Sequence, residues 1–225
     1  MKLDDRLLAV AACVPEGAYL ADVGTDHAYL PIYLAERGML SGAVASDIHK
    51  GPLESAKRNI SENGFSSLIH TVLTDGLQGL QDYPITDIAI AGMGGMMIAG
   101  ILEKASFPRE RGIRLILQPM QHIPELRRYL GANGFLLTKE TQAEAEGKFY
   151  QIICAEYDGI SREYTEMESL LGKYNLEHKN ENAAHFRLLC ERQLDILRAK
   201  IKGLEKGGYS AEKERLLYAA IENEL

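Results

Sequence analysis

Five short apolar runs alternate with helix-length spacers over the first 131 residues, and that alternation leaves few folds open. The runs cover 18–23, 43–47, 69–73, 85–91 and 114–117. They are rich in Ala, Val, Ile and Leu, as expected of strands buried on both faces of a parallel sheet. The spacers carry helical patterns over 29–37, from Gly51-Pro52 to Asn63-Gly64, over 96–104 and over 124–131. An amphipathic helix over 3–13, capped by Asp4 or Asp5, precedes the first strand and ends at Pro15-Glu16-Gly17. Two further strands, 135–139 and 149–156, are adjacent, and polar residues 140–148 join them as a β-hairpin or a mobile loop. Seven strands, five alternating with helices and two adjacent at the end, predict a doubly wound α/β fold.

In such a fold the carboxyl ends of the strands carry the binding site. The stretch 18–31 reads as strand, tight turn and helix start, where a helix N-terminus meets a nucleotide-like cofactor. Turns that hold a diphosphate keep carboxylates away. Here Asp22 and Asp26 flank Gly24, and the second and third glycines of a dinucleotide turn are missing, which argues against an NAD-dependent dehydrogenase. A negative turn suits a cofactor with an ammonium and a sulfonium, as in S-adenosyl-L-methionine (SAM). The next strand ends agree. Asp47 is placed for ribose hydroxyls, Asp75 for an adenine amine, and Gly92, Gly94 and Gly95 for close approach of backbone to the methionine arm. A lone carboxylate at a strand end is usually a helix cap, and His27 or Tyr29 alone reads as a packed turn or helix residue. Met93, Met96 and Met97 read as core. The agreement of four consecutive strand ends carries the argument.

The formal net charge of −7 excludes a uniformly basic nucleic-acid binder, though not a local basic patch. Cys13, Cys154 and Cys190 fit neither a disulfide framework nor a zinc site, so no metal and a reducing, cytoplasmic setting are expected. No signal peptide or membrane-spanning run is seen.

Composition changes near Asp158-Gly159, which divides the chain into a sheet domain, 1–159, and a helical domain, 160–225. Ile160, Tyr164, Met167, Leu171 and Tyr174 form one apolar seam; Cys190, Leu194, Leu197, Ile201 and Leu204 form another. Their spacing predicts a coiled-coil hairpin, followed by a third helix over 210–223. Seams of this kind close within one chain or between two, and a monomer is slightly favoured. Basic clusters occur at Arg109, Arg111 and Arg114, at Arg127-Arg128, and at Arg198, Lys200, Lys202 and Lys206. The last two are the expected phosphate contacts.

Four blocks, 22–31 (Asp-Val-Gly-Thr-Asp-His-Ala-Tyr-Leu-Pro), 46–56, 74–77 and 90–95, resemble the bacterial TrmK family. The resemblance implies a Rossmann-like class I SAM-dependent methyltransferase with a coiled-coil tail. It further implies tRNA as partner and N1 of the adenine at tRNA position 22 as the methylated atom. Cofactor-binding residues are then expected at Asp22, Gly24, Thr25, Asp26, His27, Asp47, Ile48, Asp75, Gly76, Gly92, Met93 and Gly94. For catalysis, Asp26 is expected to stabilise the cationic product, Gln118 to pair with the edge of the base and Tyr29 to stack on it. One position departs from the pattern: after Gln118-Pro119 the relatives carry an amide and this chain has Met120. The competing readings are a methyltransferase for another RNA, a protein or a small molecule, and a non-catalytic SAM-binding interaction protein.

Overall fold

The structure is a computed structural model that describes residues 1–110 and 112–225. Arg111, one of the basic residues noted above, lies outside the described residues. Seven strands form one sheet in the order β3-β2-β1-β4-β5-β7-β6. They are β1 Ala18–Val23, β2 Leu40–Asp47, β3 Ile69–Leu73, β4 Asp87–Met93, β5 Arg114–Pro119, β6 Phe135–Ala145 and β7 Lys148–Tyr157. β1 to β5 run parallel, and β7 pairs antiparallel with β5 and β6. The chain winds outward from β1 to β3 and then returns to β4 on the other side of β1. That reversal opens a crevice between the carboxyl ends of β1 and β4.

Successive residues of the buried strands face opposite cores. Leu20, Ala43 and Ala89 pack with Val10, Ile32 and Leu34 under α1 (Asp5–Ala11), α2 (Tyr29–Ala35) and α3 (Lys50–Glu62). Ala21, Ile88, Ile90 and Leu115 pack with Ile98, Leu102, Leu126 and Leu130 under α4 (Gly95–Glu103) and α5 (Ile123–Ala132). Asp4 caps α1, its Oδ1 accepting the Leu7 N–H at 2.7 Å.

The structure departs from these expectations at several points. β4 does not stop at Ala91. Gly92 adopts φ +80° and makes a bulge, and the strand continues so that Met93 faces Pro119. Of the two alternatives for 140–148 the β-hairpin is the one formed: residues 140–145 extend β6, and Glu146-Gly147, both at positive φ, close the turn.

The tail differs most. The first seam is not one helix: 159–165 is non-helical, and Gly172, at φ +87°, separates α6 (Glu166–Leu171) from α7 (Lys173–Glu177). Ile160 is exposed, and Tyr164 packs against the sheet's second core. The second seam lies on α8 (Ala183–Lys206), where Cys190, Leu194 and Leu197 are buried and Ile201 and Leu204 only half-buried, and it packs on α9 (Glu212–Glu222) and α6 rather than on one long partner helix. Leu171, Leu189, Cys190, Leu194, Leu197 and Ile221 form a third core, with Phe149 of β7 packed on it.

Arg127 joins this tail to the sheet and is no phosphate contact. It is fully buried. Its Nε donates to Glu140 Oε1 at 2.8 Å, and one terminal nitrogen donates to Gln151 Oε1 at 2.7 Å. The other donates to the carbonyls of Ser169 and Leu170, at the end of α6. The remaining basic clusters are largely paired as well. Arg109 donates to the carbonyls of Leu102 and Ala105, Arg114 pairs with Asp87 and Glu156, and Arg128 with Glu166. Arg198 pairs with Asp195, and Lys200 with Glu214 at 2.8 Å. Among the described residues Lys202 and Lys206 are exposed and have no ion pair.

Candidate active site

Two clefts open on the carboxyl edge of the sheet. The larger, of about 610 Å³, is lined by Asp47, Ile48, His49, Asp75, Gly76, Met93, Met97 and Ile101 among others. The smaller, of about 410 Å³, is lined by Asp4, Arg6, Asp22, Thr25, Asp26, His27 and Tyr29. Gly24, Ala91 and Gly92 line both. Both volumes lie in the range of small-molecule sites.

The turn after β1 is held from several sides. The N–H groups of Gly24 and Thr25 both donate to Ser46 O, at 2.8 and 2.9 Å. Asn59 of α3 donates to His27 O at 3.0 Å. Gly24, Asp26 and Ala28 all have positive φ, a costly backbone for the last two, and such strain concentrates at functional turns. It brings His27 and Tyr29 into a stack, with ring centroids 5.1 Å apart and planes 20° apart. Asp26 is exposed and its carboxylate lies 3.6 Å from His27 Nε2. Asp22 is buried and accepts a hydrogen bond from the Thr25 hydroxyl. Burial pushes its pKa up to about 6, the Thr25 hydrogen bond opposes the shift, and nearby Asp47 adds to it.

At the next strand ends, Asp47 Oδ1 accepts the His49 N–H at 2.8 Å, and Asp75 Oδ2 accepts from Lys104 Nζ at 3.2 Å. Of the expected cofactor set, all but Gly94 line one cleft or both. Gly94 caps α4 instead. Gly95 has no room for a side chain, since a Cβ there would lie 2.3 Å from His122 O. Its closeness serves the packing of α4 on the β5–α5 turn rather than a ligand. Met96 and Met97 are exposed and are not core; Met97 lines the larger cleft.

Gln118 does not reach the cleft either. It is fully buried, its Oε1 accepts from Arg6 at 2.9 Å and from the Gly92 N–H at 3.1 Å, and its Nε2 donates to Pro119 O at 3.0 Å. It holds the Gly92 bulge in place. Arg6 is the residue that the sequence reading misses. It stands on α1, lines the smaller cleft and lies 5.9 Å over the Tyr150 ring. No local motif marks it, because only tertiary packing brings α1 over the Gly92 bulge. Among the described residues no three His, Cys, Asp or Glu side chains gather to hold a metal, and no helix is long and apolar enough to cross a membrane.

SAM suits these clefts on chemical grounds: carboxylates at the ends of β1, β2 and β3 face a ligand with hydroxyls, an amine and positive charge. Apolar Ile48, Met97 and Ile101 can cover a flat ring.

Known proteins agree with this geometry. Residues 3–153 match the methyltransferase domain family. The tRNA (adenine(22)-N(1))-methyltransferase of Bacillus subtilis is 40% identical over 187 residues, 80% of this chain and 77% of the relative. A Streptococcus pneumoniae structure, described as a candidate tRNA (m1A22) methyltransferase in complex with S-adenosyl-L-methionine, superposes with a TM-score of 0.82. It is 32% identical, and the match covers 100% of both chains. TrmK of M. capricolum, in complex with S-adenosyl-homocysteine, gives a TM-score of 0.75 at 26% identity over 99% of this chain and 94% of that one. With the sheet order, the acidic rim and these matches in hand, the chain belongs to the methyltransferase domain family and, within it, to the TrmK family of tRNA (adenine(22)-N1)-methyltransferases.

Proposed function

We propose that this protein transfers a methyl group from SAM to N1 of the adenine at position 22 of tRNA. The observation that carries the reading is the pair of adjoining clefts that share Gly24, Ala91 and Gly92 in their linings, the larger suited to the cofactor's nucleoside and the smaller to its charged end and a second ligand. When bound, SAM supplies an electrophilic methyl carbon on a sulfonium.

The chain's own residues then act as follows. Asp47 accepts from ribose hydroxyls, while Asp75 and Gly76 meet the adenine of the cofactor and Ile48 covers its ring. Gly24, Gly92 and Met93 lie where the clefts adjoin, and the cofactor's positively charged end extends past them into the smaller cleft, where Asp22 and Thr25 face it. Adenine N1 has an in-plane lone pair and no proton, so no side chain must remove a proton before attack. Catalysis rests on positioning and on a suitable field. The exposed Asp26 carboxylate lies beside the smaller cleft, where it stabilises the positive charge that the methylated adenine acquires. His27 and Tyr29, already stacked, offer an aromatic face to an extruded base. Gln118 is a positioning residue that acts through Gly92.

We assign residues 1–159 to chemistry and 160–225 to RNA recognition. Exposed Lys202 and Lys206 on α8 support the second assignment. The double substitution Lys202→Glu/Lys206→Glu is expected to weaken tRNA binding and to lower its salt dependence by about one unit of log–log slope per lost contact, with SAM affinity unchanged. Unchanged tRNA affinity in filter binding at low salt would take α8 off the RNA surface. A tRNA substrate and three buried free thiols point to a cytoplasmic setting.

The deciding experiment is mass spectrometry of nucleosides from unmodified tRNA incubated with the protein and SAM. The expected product is 1-methyladenosine at position 22. SAM binding in calorimetry without methylation of any RNA would favour a non-catalytic role.

A further inference from the structure

Among the described residues of 1–157 eight large apolar side chains are exposed; Tyr29, Ile48 and Met97 of these line the clefts, and Met96 and Met120 adjoin them, Met96 next to Met97 in the chain and Met120 donating its N–H to the O of Met93. Monomeric surfaces usually scatter such groups singly, and a cluster around a cleft mouth marks a contact surface. Ile48 and Met97 line the larger cleft and Tyr29 the smaller, so the two ligands account for them. Met96 and Met120 line neither cleft, and yet they are 55% and 47% exposed.

These two side chains stand on the two elements that meet at the Gly94-Gly95 turn. The Met120 N–H donates to Met93 O at 2.8 Å, and the Gly95 N–H donates to Gln121 O at 2.8 Å. Gln118 Nε2 lies 3.5 Å from Met120 Sδ. Backbone hydrogen bonds thus tie together the two segments that carry these unbranched, polarisable side chains, next to Met93 and Met97 of the larger cleft.

We propose that Met96 and Met120 form an apolar wedge that packs against the bases next to the target adenine and holds that adenine out of the RNA stack. The inference rests on the tRNA reading above and deepens it. Three observations select bases as the occupant. Four carboxylates, Asp22, Asp26, Asp47 and Asp75, line the clefts against two cations, Arg6 and Lys104, of which Lys104 is paired with Asp75, and this negative balance disfavours phosphates and leaves bases as the RNA groups that come nearest. Met96 and Met120 adjoin Met97 and Met93 of the larger cleft, which holds the methyl donor that the adenine must meet. Extruding a base uncovers the apolar faces of its neighbours, and methionine is among the side chains that fill such steps. Met120 contributes packing where a polar side chain would contribute a hydrogen bond.

The test uses the full chain, a tRNA transcript with 2-aminopurine in place of the target adenine, and S-adenosyl-homocysteine. Wild type is expected to raise the 2-aminopurine fluorescence on binding. Met96→Ser/Met120→Ser is expected to lose most of that rise and to lower kcat on unmodified tRNA by about tenfold or more. Its SAM affinity and thermal midpoint should stay near wild type. Met96→Leu/Met120→Leu should restore both signals, which a polar role for these positions would not allow. Full fluorescence and kcat in the serine variant, with wild type active, would overturn the wedge alone. A wild-type dimer that the serine variant converts to monomer would also overturn it, making the rim a contact between copies. Absence of 1-methyladenosine with wild type would instead refute the tRNA reading, and the wedge with it.

Discussion

Replacing Arg127 by methionine is expected to destabilise the protein by about 3–5 kcal/mol, the usual cost of leaving a buried charge without its partner. The guanidinium is fully buried and serves Glu140, Gln151 and the last carbonyls of α6 together. Burial raises the Glu140 carboxyl above its ordinary value, and Arg127 opposes the shift. Without Arg127 that pKa rises further. A group raised in the folded state contributes stability that is fully present below its unfolded pKa and is lost as pH rises through the folded one. The deficit of the variant should therefore be larger at pH 8 than at pH 5. Urea denaturation at both values reads this directly, and Arg127→Met/Glu140→Gln should recover part of the loss at pH 8. A deficit that is the same at both values would show that the ion pair is not the cause. Because the network ties α5 to α6, amide exchange in α8 of the single variant should rise first.

The second large effect concerns Asp22. Its pKa, raised from 3.8 to about 6 by burial, means that the ionised form is unfavourable in the ligand-free protein. The stabilising contribution is present below 3.8 and lost as pH rises through about 6. A cationic cofactor favours the ionised form, so SAM affinity should run the other way. It should be flat above pH 7 and fall by about tenfold for each pH unit below 6, until the pKa of the bound state is reached. Asp22→Asn should flatten the dependence and weaken binding at pH 7. At that pH it should also make the ligand-free protein more stable by about 1–3 kcal/mol, the usual exchange between stability and a functional charge. Calorimetry of SAM binding at pH 5, 6 and 7 decides; an affinity equal at all three would remove Asp22 from the cofactor site.

The first four strands are readable because each is a largely apolar run that stops at a carboxylate or a glycine. The carboxyl-edge residues followed from the same stops, and all the expected cofactor residues except Gly94 line the clefts. What could not be read depends on contacts between distant segments. Arg6 meets Gln118 across 112 residues. Arg127 looks like half of a surface basic pair until the hairpin carries Glu140 to it. Gln118 ends a strand at the right edge but points into the Gly92 bulge, a direction that no local pattern encodes. In the tail, the 160–174 spacing is helical on paper, yet 159–165 forms no helix and Gly172 turns the chain before the seam can run its length.

The border between the clefts at Gly24, Ala91 and Gly92 has a bearing on which donors the protein can use. Two of these three residues carry no side chain and the third carries one methyl, while the flexible thioether of Met93 lies against Gly24, 2.2 Å from where a Cβ would stand. Met93 is therefore the adjustable part of that border. A donor bearing a longer alkyl chain has to displace this side chain before its transferred group can reach the purine.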